Sequence, residues 1–120
     1  DRIVSGIGEQ PAIIHLRDFG LTGFTSGCVC VAPKLSMDML AAIKSGDFNT
    51  AETIRSTFSP LEDLRNEINP VRVLHTAVAQ AGIAATGPLI PLLSEVSNED
   101  TQRIRTAASE LLAADQAALA

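Results

Sequence analysis

The sequence has no tryptophan and no tyrosine, and its aromatic complement is four phenylalanines. Any core must therefore be aliphatic, and few stacking platforms remain for single-stranded nucleic acid. Basic charge is scarce as well: nine Lys and Arg stand against fourteen Asp and Glu, a net charge of −5. Binding a phosphate backbone draws on a surplus of cations, so nucleic acid is not an expected partner. The only lysines are Lys34 and Lys44. Neither sits on a strand in an apolar pocket, where burial would lower an ammonium pKa and ready it for Schiff-base chemistry. Charge or proline interrupts every apolar run before the roughly 18–20 residues of a membrane span, so no membrane partner is expected. No basic-then-apolar leader is visible. Two cysteines make no disulfide framework, and the reducing cytoplasm is the expected compartment.

What is present is a globular composition, 46% apolar and 19% charged over 120 residues, enough for one domain and one core. Arg2-Ile3-Val4-Ser5 is a β-branched run that stops at Gly6-Ile7-Gly8, as a strand stops at a turn. Glu9 to Phe19 places Ile13, Ile14, Leu16 and Phe19 near helical spacing, and Gly20 supplies a natural stop. Thr22 to Val31 is apolar without alternation, which predicts a second strand buried on both faces. Strand, helix and strand with short connections form a βαβ unit, the building block of parallel sheets.

From Pro33 onward the pattern is helical. Ser36 is the expected cap of a helix through Met37, Leu40, Ala41 and Ile43, ended by Gly46. Asp47 caps the next, with Phe48, Ala51, Ile54, Phe58, Leu61 and Leu64 on one stripe; Pro60 kinks it or is absorbed. Asn69-Pro70 opens a third helix, with Val71, Val73, Leu74, Ala77 and Val78 inward and Gly82 as its end. Residues 86–93 read as an extended connector. Ser97 to Asp100 starts the last helix, which buries Ile104, Ala108, Leu111 and Leu112.

Two strands cannot stand alone as a parallel sheet, because a buried strand needs neighbours for its backbone groups. With Asp1 rather than Met at its start, the chain is expected to be the C-terminal part of a longer protein.

Few motifs carry chemistry. Ser5-Gly6-Ile7-Gly8-Glu9 lies between strand and helix, but Pro11 stands where a dinucleotide loop has its third glycine. A loop at the carboxyl end of a parallel strand, where ligands collect, fits better. Gly23-Phe24-Thr25-Ser26-Gly27 offers two hydroxyls at the end of the second strand, without the G-x-S-x-G pattern of a nucleophile elbow. Cys28 and Cys30 share a face if the strand runs through them. With His15 and His75 on separate helices, they make small hydrophobes rather than a metal site. Glu62, Asp63 and Glu67 read as an exposed acidic helix face.

The runs GLTGFTSGCVCVAP (20–33), AAIKSGDFNTAETIRSTFSPLEDL (41–64), INPVRVLHTAVAQAGI (68–83) and GPLIPLL (87–93), in this order and spacing, carry a resemblance. The chain resembles the C-terminal stretch of the dihydrodipicolinate synthase / N-acetylneuraminate lyase family of class I aldolase-type lyases, over about residues 2–95. The resemblance implies an α/β fold, the C-terminal portion of a (β/α)8 TIM barrel. Residues 1–33 would be the seventh strand, seventh helix and eighth strand, and 34–120 the final barrel helix and a helical appendix. The family forms a Schiff base between a lysine and pyruvate or another 2-oxo acid, with a tyrosine moving protons and no cofactor. That lysine and tyrosine are not in this chain, which is expected to be inactive by itself.

What the resemblance carries over is the far wall of the pocket. Gly6, Glu9, Ser26 and Gly27 would orient the distal groups of a 2-oxo acid substrate. The chain departs from the family pattern at Gly8 (an Asp in sialic-acid lyases), Cys30 (often Asn), Leu74 (near a usual Lys) and Leu89 (a usual Arg). These departures point away from the central lysine-biosynthesis enzyme and toward a divergent member. The expected partner is a second copy of the chain or the missing N-terminal part of the same protein. The alternative reading is a non-catalytic helical interaction or oligomerisation module.

Overall fold

A computed structural model describes residues 3–90 and 92–120. Arg2 of the expected first strand and Pro91 of the connector lie outside the described residues. The expected βαβ order is present: β1 (Val4–Ser5), α1 (Ala12–Phe19) and β2 (Gly23–Phe24). β1 pairs with β2 in parallel, Val4 opposite Gly23 and Ser5 opposite Phe24. The bonds Thr22 N–H to Ile3 O (2.9 Å), Thr25 N–H to Ser5 O (2.7 Å) and Gly8 N–H to Thr25 O (3.0 Å) extend the pairing beyond the strand ends. Helix α1 starts later than the expected Glu9, because Pro11 occupies its N-cap position.

The second strand is much shorter than its apolar run predicts. After Phe24 the chain leaves the sheet and enters a 3-10 turn over Cys28–Cys30. The cause is local: Ser26 Oγ accepts the Val29 N–H (3.2 Å), and Gly27 O and Cys28 O take the amides of Cys30 and Val31. A serine hydroxyl and a glycine offer the backbone an alternative to the ladder, and here they win. The cysteines consequently do not share a face; Cys28 is buried and Cys30 exposed.

Four helices follow: α2 (Pro33–Ser45), α3 (Phe48–Glu67), α4 (Pro70–Gln80) and α5 (Asn98–Leu119). Helix α2 begins at Pro33 rather than after Ser36, since proline fits a first turn without loss of a needed N–H. Ser36 thus lies inside the helix and is buried; Met39 replaces the exposed Met37 on the inward stripe. Gly46 ends α2 in the left-handed region at φ 81°. The Asp47 side chain accepts the Thr50 N–H and starts α3. Pro60 leaves α3 unbroken. It lies on the exposed side of the helix. Asn69 caps α4 through the amides of Val71 and Arg72, and Ser97 caps α5 through Asp100. Val71 faces outward instead of inward.

The core has two parts that meet along α3. Ala12, Ile13 and Leu16 of α1 pack with Met39, Ala42 and Ile43 of α2 and with Ala51. Cys28, Val31 and Ala32 pack with Phe58, Leu61 and Leu64 of α3, with Val73 and Ala77 of α4, and with Ile104, Ala108 and Leu111 of α5. The first cluster joins residues on both sides of Pro33. No described helix is long and apolar enough to cross a membrane.

Candidate functional site at the strand ends

Both strands end on the same side, and the loops that leave them lie together. Gly6 is exposed and open around its Cα. Gly8, at φ 97°, occupies backbone that L side chains rarely adopt, and a β-carbon there would overlap Oε1 of Glu62. Gly27 is pressed by Leu74 of α4, whose Cδ1 lies where a β-carbon would stand. Gly27 therefore permits a close helix approach rather than an unusual φ; its φ is −82°.

Glu9 has no exposed surface. Its carboxylate accepts the Ser26 hydroxyl at Oε2 (2.6 Å) and the Ser36 hydroxyl at Oε1 (2.8 Å). One buried carboxyl group thereby ties the end of β2 to α2. The structure brings Glu9 and Ser26 together, with Ser26 partly buried between Glu9 and the Val29 amide. Gly6 and Gly27 stand on adjacent loops, Gly6 open and Gly27 covered.

Glu62 corrects the expected exposed acidic face: Asp63 and Glu67 are exposed, but Glu62 is fully buried. Its Oε1 accepts the Glu9 N–H at 3.0 Å. Burial, then the charge of Glu9, pushes its pKa up to about 7. Arg65, one turn on, donates to Ile7 O (3.1 Å) and so holds the same loop. Burial, reinforced by Glu62 and Glu9, also drives the Cys28 thiol pKa far above its ordinary value. Such a thiol stays protonated and inert.

His15 Nδ1 meets Ser5 Oγ at 2.8 Å, and His75 Nε2 lies 3.2 Å from Thr86 O. Both rings serve local packing. Among the described residues no three His, Cys, Asp or Glu side chains could hold a metal ion together. A groove lined by Leu16, Arg17, Leu21, Thr22, Ile43 and Lys44 lies between α1 and α2, apart from the loop residues of the strand ends.

The model of the dihydrodipicolinate synthetase family matches residues 3–111. The chain belongs to that family. The 4-hydroxy-tetrahydrodipicolinate synthase of Nitrosospira multiformis is 36% identical over 104 residues, 86% of this chain and 34% of that protein. The enzyme of the same name from Methanospirillum hungatei is 31% identical over 99 residues, 82% of this chain and 33% of that one. Dihydrodipicolinate synthase from Bacillus clausii superposes with a TM-score of 0.78 at 29% identity, over 88% of this chain and 36% of that chain. The synthase from Oceanobacillus iheyensis gives 0.77 at 28% identity, over 97% and 38%. The chain thus spans about a third of the length of the curated relatives it matches.

Besides the expected residues, the site contains Ser36, Glu62 and Arg65, which the sequence pattern does not place there. Glu62 was detectable: it follows Phe58 by four residues and Leu61 by one, on the stripe that α3 buries. A carboxylate on a buried stripe signals a built polar site. Ser36 carried no such signal, because its partner Glu9 is 27 residues away and on another element.

Proposed function

We propose that this chain supplies the closing βαβ unit and the helical appendix of a dihydrodipicolinate synthase-type barrel. In that reading the strand-end loops form the far wall of a pocket for pyruvate or a related 2-oxo acid. Gly6 offers its unobstructed backbone to the substrate's distal carboxylate or hydroxyl. Ser26 and the Gly27 backbone face it from the neighbouring strand. Glu9 is a positioning residue: its buried carboxylate fixes the Ser26 hydroxyl, so the wall is set before substrate arrives. The Schiff-base lysine and proton-moving tyrosine, which the family resemblance implies, belong to chain outside these 120 residues. The reaction they would run is carbon–carbon cleavage, condensation or dehydration.

The observation that carries this reading is the parallel pair β1–β2, with both glycine-bearing loops at its carboxyl ends. Parallel strands place ligands there and not at the opposite end. Borohydride reduction in the presence of pyruvate, read by intact mass, tests it. The longest natural polypeptide that carries this sequence is expected to trap pyruvate covalently, and the 120-residue chain alone is expected to trap none. Turnover by a homogeneous 120-residue preparation would overturn the division of labour. Absence of an adduct on the longer polypeptide would favour the helical interaction module, a reading supported by the exposed Ile90 and Leu92 of the connector.

A further inference from the structure

Glu9 and Glu62 are two carboxylates with no exposed surface, held on two different elements and joined through the Glu9 amide. Their surroundings set one nearby cation, Arg65, against two carboxylates, and burial outweighs it. From α3, Arg65 stands beside Glu62 and favours its charged form while donating to Ile7 O and Asn66, and Arg55 is paired with Glu52. From α2 only the Ser36 hydroxyl reaches Glu9, while Lys34 is bound to Asp38. The 3-10 turn contributes the protonated Cys28 thiol. In the loop, Gln10 is tied to Asp63 and Asn66, and Asp115 of α5 accepts the Leu35 N–H. Both Glu9 oxygens receive hydroxyl protons, whereas Oε2 of Glu62 is buried with no hydrogen-bond partner. An ionised oxygen without a donor is far costlier to bury than a neutral one.

We propose that Glu62 keeps a proton below neutral pH and loses it as pH rises through neutrality, so that the Glu9–Glu62 pair acts as a pH-sensitive latch on loop 7–10. With the proton in place, the loop is clamped to α3 through the Glu9 amide, Gly8 against Glu62, and Ile7 O on Arg65. When a solvent base removes the proton, two like charges face each other in a low-dielectric site and the loop loosens from α3. The latch concerns the loop alone and stands whether or not the chain serves a lyase.

The test reads the loop and not turnover. Exchange of the Gly8 and Glu9 amides is measured on the longest natural polypeptide that carries this sequence, at pH 5.5 and 8.5, each normalised for intrinsic base catalysis. The open population is expected to rise at least about tenfold between the two, as linkage to a proton held more tightly in the closed state requires. A carbonyl stretch of a protonated buried carboxyl is expected at the lower pH and lost at the higher. Glu62→Gln should keep the loop closed at both pH values and remove that band. Equal opening at the two pH values, or a pH dependence that survives in Glu62→Gln, would overturn the latch. Should that variant fail to fold, Glu9→Gln removes the opposing charge and must move the infrared midpoint downward; an unmoved midpoint also refutes the pairing.

Discussion

Replacing Gly8 by alanine, beside the same change at Gly6, isolates what the β1–α1 loop contributes to stability. Two residues apart in one loop, these glycines meet opposite surroundings. At Gly6 nothing lies within 4 Å of an added β-carbon, so alanine there should change stability by no more than about 0.5 kcal/mol. At Gly8 two costs combine. Its φ of 97° belongs to a region where a β-carbon costs about 1–2 kcal/mol. The same β-carbon overlaps Glu62 Oε1, which must withdraw from the Glu9 amide. A buried donor left without its acceptor costs about 1–3 kcal/mol. The expected loss is about 2–5 kcal/mol, a large share of the roughly 5–15 kcal/mol that stabilises an ordinary domain. Urea unfolding reads it: with a slope of about 1–3 kcal/mol/M, the Gly8→Ala midpoint should fall by about 1–2 M. Adding Glu62→Ala to Gly8→Ala relieves the overlap, so the double change should cost less than the sum of the single ones. Midpoints for Gly6→Ala and Gly8→Ala that agree within error would refute the reasoning.

Asn69→Ala removes the acceptor for the Val71 and Arg72 amides and should destabilise by about 1 kcal/mol in the same assay. A thiol reagent should modify one cysteine, Cys30, in the native chain and reach Cys28 only after denaturation, because burial shields the one and not the other. Stability should also depend on pH through Glu62. Its folded pKa near 7 lies above the ordinary 4.5, so the folded state binds the proton more tightly. The melting temperature, compared with that of Glu62→Gln, should fall as pH rises from about 4.5 to 7 and flatten above.

Helix positions were legible because their signals are local. Asp47, Asn69-Pro70 and Ser97 each cap the helix that follows within three residues, and Gly46 ends α2 by a backbone rule that needs no tertiary contact. The second strand was not legible beyond Phe24. Its apolar run is equally consistent with a strand and with a buried turn, and the bonds of the Val29 amide to Ser26 Oγ and of the Cys30 and Val31 amides to Gly27 O and Cys28 O replace the ladder. The cap of α2 failed for a similar reason. Ser36 has the right side chain for a cap, but Pro33 starts the helix earlier and commits Ser36 to the interior, where Glu9 receives its hydroxyl.

The candidate site divides along the same line. Glycine and serine types at the strand ends could be read off as a loop pair, because parallel β1 and β2 force the two loops together. What holds those loops could not be read off, since it comes from residues distant in sequence: Glu62 and Arg65, more than fifty positions from the amide and carbonyl they bind. That division has a physical origin. A two-residue strand pair supplies few ladder bonds and little buried area, so it cannot fix the geometry of its own loops. The rigidity must come from a better-packed element. Helix α3 is that element, because it joins both core clusters through Ala51 and Phe58 and is anchored by its Asp47 cap. A carboxylate on its buried stripe is thus the means by which the helical layer sets the position of the strand-end loop. The same carboxylate makes that position sensitive to a proton.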